Sequence, residues 1–188
     1  MKTLIALLLF SGSLFAQLPK APSNQSLRFD FGTGIVPYNT IGAGLYFSAG
    51  YQYSGTNYPW RINPSIQFGV LPSDFLIDEI GTMSATSTSI KLMFYYQIFE
   101  LGNISWDLGV GPAYNYFAAD VENLSNDPEY RDPFSYSESE ARLFIALNLR
   151  IPMGNKGSEF IIMPSIAADK RYVEEYYLGI GYSYLIGD

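Results

Sequence analysis

Charged side chains in this sequence are placed by a rule. In the stretches that alternate apolar and non-apolar residues, Arg28, Asp30, Arg61, Lys91, Asp107, Arg150 and Glu159 all take the non-apolar positions, and no charge takes an apolar one. Six of these, three arginines and three carboxylates, lie toward one end of their stretches. Charges taken out of water need partners, so ion pairs are expected, with Asp107, Arg150 and Glu159 as the main cluster on neighbouring stretches. Lys91 stands apart in mid-stretch, with Gln67, Asn115 and Asn148 as its expected company. Such a network can serve as a structural polar core or as a gated path for ions.

Other chemistry is narrowly bounded. The chain has no histidine and no cysteine, which removes the commonest general base, disulfides, thiolate metal sites and anchoring through an N-terminal cysteine. Neither a Ser-His-acid esterase site nor a His-Asp protease site can be built. Glu140 and Glu175 offer a paired-carboxylate mechanism, but nothing in their spacing demands one. The Gly-x-Gly runs at Gly32, Gly42, Gly109 and Gly179 open no helix, so they are not phosphate loops. No catalytic residue, cofactor or metal site is therefore assigned, and the chain is expected to be non-enzymatic. Residues 119–138 carry Asp120, Glu122, Asp127, Glu129, Asp132 and Glu138 against Arg131 alone. An acidic loop of this kind can hold divalent cations or meet a basic partner, yet its spacing fits no EF-hand, and a solvated loop is the plainer reading. The net charge of -7 argues against nucleic acid.

The elements that position these residues are strands. Met1 to Thr3, the apolar run Leu4 to Phe10 and the small residues up to Ala16 form a secretory signal peptide, residues 1–16, followed by a linker over residues 17–26. Residues 27–188 then hold eight period-two segments, seen most clearly in the last, where Tyr176, Leu178, Ile180, Tyr182, Tyr184 and Ile186 oppose Glu175, Tyr177, Gly179, Gly181 and Ser183. In the seventh the alternation is blurred, because Ile161 and Met163 join Glu159 and Ser165. Aromatics make up 16% and charged residues 15% of the 188 residues, a balance that suits a membrane barrel. A charge on the lipid face near the midplane costs roughly 2–4 kcal/mol, which explains its absence there. Short links (54–59, 100–103 and 152–157) alternate with long ones (72–85 and 119–138). Tyr51, Tyr53, Trp60, Tyr96, Phe99, Trp106, Phe160, Tyr182 and Tyr184 all land at the short-link ends of their segments, as one interfacial girdle. Pro64, Pro112 and Pro164 fall within segments three, five and seven, where each is expected to mark a bulge or a broken pair.

On these patterns, over roughly residues 27 to 186, the chain resembles the small eight-stranded outer-membrane barrels of the OmpA and OmpX kind. The resemblance implies an antiparallel up-and-down transmembrane β-barrel in the outer membrane of a Gram-negative bacterium, monomeric, with both termini periplasmic and a lumen plugged by polar side chains. It implies outer-membrane lipid and the barrel-insertion machinery as partners. The chain departs from that family at its end, where Ile186-Gly187-Asp188 stand in place of a terminal aromatic residue. The expected role is structural or surface-interacting. A narrow channel for small solutes or ions is the alternative, and a soluble lipocalin-like barrel with its apolar face turned inward is a further one.

Overall fold

A computed structural model describes residues 24–36, 42–55, 58–77, 81–123, 134–153, 158–168 and 173–186. The expected signal peptide lies outside the described residues. Eight strands form: β1 (Asn24–Val36), β2 (Gly42–Ser54), β3 (Trp60–Ile77), β4 (Gly81–Leu101), β5 (Ile104–Asn123), β6 (Phe134–Met153), β7 (Ser158–Ala168) and β8 (Val173–Ile186). Each pairs antiparallel with the next, and β8 closes on β1 from Gln25↔Ile186 to Ile35↔Tyr176, so the sheet is a closed barrel. Closure leaves no edge whose backbone groups go unpaired, the condition for spanning a bilayer with strands.

The ladders also fix how the barrel is sheared. From Arg28, partners lead through Gly50, Ser65, Lys91 and Ala113 to Arg142 on β6. The opposite way round, they lead through Ser183 and Glu159 to Pro152 on the same strand. The circuit is thus offset by ten residues, Arg142 to Pro152. With a rise of ~3.3 Å per residue and a strand spacing of ~4.8 Å, that offset tilts the strands by roughly 40°.

Period-two alternation turns into two surfaces. Outward stand Phe31, Leu45, Phe68, Ile90, Val110 and Leu178, among many others, with Phe31 52% and Ile90 61% exposed. Inward stand the buried polar residues together with Ile161 and Met163, which explains the blurred pattern of β7: its lumen face turns apolar between Glu159 and Ser165. This excludes the lipocalin-like alternative, which needs the apolar face inside.

Two expected loops are corrected. Residues 72–85 are largely strand, because β3 and β4 resume pairing at Phe75↔Met83 after a register shift beyond Leu71 and continue to Ile77↔Gly81. The shift coincides with Pro72, which cannot donate to a ladder. Residues 119–138 are likewise strand at both ends. Asp120 pairs with Ser135 and Glu122 with Thr82, so neither lies in a loop, while Asp127, Glu129 and Asp132 lie outside the described residues. Alternation reports burial of one face, and strands that run on past that environment lose the pattern without losing their hydrogen bonds. At the other end β1 opens at Asn24, inside the stretch expected to be linker.

Pro64, Pro112 and Pro164 each break one ladder and keep the other. Pairing of β2 with β3 stops at Gly50↔Ser65 and resumes at Tyr53↔Ile62; β4 with β5 stops at Lys91↔Ala113 and resumes at Phe94↔Val110; β6 with β7 stops at Ala146↔Ser165 and resumes at Leu149↔Ile162. The register is the same on both sides of each gap, so these are broken pairs and not bulges. Toward the following strand the prolines pair normally, as Pro64↔Leu92, Pro112↔Leu143 and Pro164↔Leu178. At the first gap Asn63 Nδ2 donates to the Tyr51 carbonyl at 3.1 Å, replacing the bond Pro64 cannot make.

Candidate functional site

Among the described residues the lumen is where the fold gathers chemistry-bearing side chains, because seven strands, all but β2, aim charges at it. At the short-turn end, Arg61 Nη1 donates to Asp107 Oδ2 at 2.5 Å, Arg150 Nη1 lies 3.4 Å from the same oxygen, and Arg150 Nη2 donates to Glu159. Arg61, Asp107, Arg150 and Glu159 form one chain of alternating sign across β3, β5, β6 and β7. Arg150 and Asp107 are fully buried, where such charges persist only if matched. Arg150 Nη1 also donates to Gln52 Oε1 at 3.1 Å, and the Ser183 hydroxyl donates to Ser26 at 2.8 Å. Between this floor and the short-turn rim lies a cavity of about 360 Å³, lined in part by Ser26, Gln52, Tyr58, Arg61 and Glu159.

Farther in, a second group fills the cross-section. Arg28 Nε donates to both carboxylate oxygens of Asp30 at 2.8 and 3.1 Å, its Nη2 donates to Met163 Sδ at 3.0 Å, and its guanidinium lies 5.3 Å from the centre of the Tyr95 ring. Tyr95 fits because β5 offers Gly109 opposite it: a Cβ there would meet the ring at 2.2 Å. Tyr46 in the same way occupies the room left by Gly179, where a Cβ would meet its hydroxyl at 1.9 Å. Gly109 of β5 and Gly179 of β8 are thus seats for inward tyrosines.

Beyond that layer Lys91 Nζ donates to Gln67 Oε1 at 2.6 Å and sits 5.0 Å from the centre of the Phe144 ring. Of its three expected companions only Gln67 touches it: the Ser89 hydroxyl donates to Asn115 at 2.7 Å, and Asn148 accepts from Arg28 at 3.5 Å. Phe144 stacks on Tyr177 at 5.6 Å, and Tyr177 meets Tyr46 edge-on at 5.3 Å. At the far rim Arg142 bridges Glu140 and Glu175, the latter at 2.6 Å, and Tyr177 donates to Glu175. The two carboxylates once eligible for paired acid–base work are thereby tied to one guanidinium. Sequence reasoning missed Tyr46, Met93 and Phe144 in the lumen, although their positions in step with Ser48, Lys91 and Arg142 were the signal that would have found them.

The girdle residues share the outer surface at the short-turn end. Trp60 pairs with Tyr96, Phe99 with Trp106 and Phe160 with Tyr182, while Tyr51 and Tyr184 flank Leu27. Tyr53 lies 5.8 Å and Tyr58 6.2 Å from the Trp60 ring. Phe99 faces outward because the register shifts between Gln97 and Phe99. Asp120 is exposed at the opposite end and accepts from Ser135 at 2.6 Å. Among the described residues no group of three or more acidic side chains is placed to hold a metal ion.

No protein-family model matches the chain, and no curated protein sequence matches it. The fold has clear counterparts among solved structures. Neisserial surface protein A is 11% identical over 88% of this chain and 100% of its own, with a TM-score of 0.63. Ail, the attachment invasion locus protein of Yersinia pestis, is 15% identical over 88% and 100%, with a TM-score of 0.57. The N-terminal barrel of Pseudomonas aeruginosa OprF is 12% identical over 87% and 98%, with a TM-score of 0.51. The chain therefore has the fold of the small eight-stranded outer-membrane barrels.

Proposed function

We propose that this protein is a non-enzymatic outer-membrane barrel with a structural or surface-interacting role, its lumen plugged by side chains. The observation that carries this reading is the outward apolar surface. A continuous wall of exposed leucine, isoleucine, valine and phenylalanine far exceeds the few hundred Å² a soluble monomer presents, and bilayer lipid is the solvent that suits it. The plug rests on the matched charges and aromatic rings that fill successive layers of the lumen.

The aromatic girdle, the short turns and both described chain ends share one end of the barrel, which supports a periplasmic position for that end and a cell-surface position for the acidic rim. Residues 1–16 would direct export, and the barrel would be inserted as a monomer by the barrel-assembly machinery. Asp120, Glu138 and Glu140, with the acidic residues 122–132, would meet whatever the surface recognises. Neisserial surface protein A and Ail, a protein named for attachment and invasion, share the fold and are compatible with such a role.

Cell fractionation combined with external protease on a cleavage tag placed in residues 124–133 tests location and orientation together. Cleavage on intact cells is expected, and recovery in the soluble periplasm would sink the reading. One observation favours a narrow channel as second reading: the cavity of about 360 Å³ that enters the lumen from the short-turn end. Stable discrete conductance from the refolded barrel in planar bilayers, altered by Lys91→Ala, would put transport first.

A further inference from the structure

We propose that Lys91 and Asn115 hold a halide-sized anion inside the lumen. Lys91 is buried, at 7% exposure, and among the described residues it ion-pairs with no carboxylate. The carboxylate whose field reaches it, Asp30, is already held by Arg28 at 2.8 Å, and Arg28 itself repels Lys91. Two cations thus share one acid in the middle of the barrel. Buried charges are matched as a rule, and neutral partners such as Gln67 and the Phe144 ring orient the ammonium without cancelling its charge.

A second observation points to the same place. Asn115 is buried on the same lumen face, two residues beyond Ala113, the register partner of Lys91. The two are diagonal neighbours roughly 7 Å apart, within reach of a lysine side chain. The Ser89 hydroxyl engages Asn115 Oδ1, and Asn115 Nδ2 then meets no acceptor on the protein. A cation without a counter-charge and an amide donor without an acceptor thus stand as neighbours on β4 and β5. Water would supply an acceptor but no charge, whereas an anion supplies both. Met93, Ala113 and Phe144 pack into the adjoining core cluster and limit the guest to something small.

The test uses the full barrel refolded in zwitterionic detergent, with chloride or bromide exchanged against gluconate at constant ionic strength. The thermal midpoint of the wild type is expected to rise with either halide, and at ten times the Kd the folding equilibrium shifts about elevenfold. Lys91→Met should lose that response. Asn115→Asp, whose carboxylate takes the anion's place, should lose it too while matching or exceeding the wild-type midpoint in gluconate, and it carries the comparison if Lys91→Met fails to refold. A wild type indifferent to halide, or variants that respond as the wild type does, would overturn the proposal, as would bromide-soaked crystals without an anomalous peak beside Lys91 Nζ.

Discussion

Tyr95 and Gly109 occupy one space between them: the tyrosine ring lies where a side chain on the glycine would be, 2.2 Å from the nearest ring atom. The fit also seats the Arg28 guanidinium over the ring at 5.3 Å. Gly109→Val must displace the ring and disturb Arg28 with it. The expected cost is about 1–3 kcal/mol, the range for overpacking, read as a lower urea midpoint of the refolded barrel. Gly109→Val in a Tyr95→Ala background should cost far less.

Arg150 is the inner link of the four-charge chain, and its removal strands Glu159 while leaving Asp107 to Arg61 alone. Arg150→Met should therefore destabilise by about 3–5 kcal/mol. Adding Glu159→Gln should recover part of that loss. A double-mutant cycle that shows simple additivity would contradict the geometry.

The seams at the prolines make opposite predictions for two substitutions. The Leu92 carbonyl points toward β5, 2.0 Å from where a Cβ on Gly111 would stand, and Pro112 has no N–H to give it. Pro112→Val supplies the donor and should add about 0.5–1.5 kcal/mol of stability. Asn63→Ala, which removes the bond standing in for the missing one at Tyr51, should cost about 1–3 kcal/mol by leaving that carbonyl unpaired. Amide hydrogen exchange beside each seam, faster than in the flanking ladder, gives an independent check.

Trp60 packs against both Tyr53 and Tyr58 in the girdle. Trp60→Ala should lose about 0.5–1.5 kcal/mol for each ring pair, with tryptophan-lipid energy transfer reporting the depth of the remaining Trp106. An unchanged midpoint in lipid vesicles would argue against an anchoring role.

The fold was legible because lipid and a crowded lumen impose opposite demands on alternate residues, so Leu178 and Ile180 could be told from Gly179 and Gly181 by parity alone. The ion chain was half legible. Asp107, Arg150 and Glu159 could be placed together from strand order, but Arg61 joining them depended on shear, which no single strand encodes. Strand ends were the least legible, since Asp120 and Glu122 pair in a ladder that continues beyond the apolar band, where polarity stops reporting structure. One tyrosine of the lumen was hidden by its type: Tyr177 was legible by parity, but Tyr46 reads as an outward residue until its place between Gly44 and Ser48 is counted.

Strand number alone does not decide how much a barrel can contain. Because the circuit around this wall comes back ten residues out of step instead of eight, its strands lean farther and the bore widens, by roughly a fifth in cross-section at the same strand count. That increment is the room in which a tyrosine, an arginine and a methionine can lie side by side. The interior's capacity is therefore a property of registration, and a deletion that slipped one hairpin by a pair of residues would close that room without removing a single lumen residue.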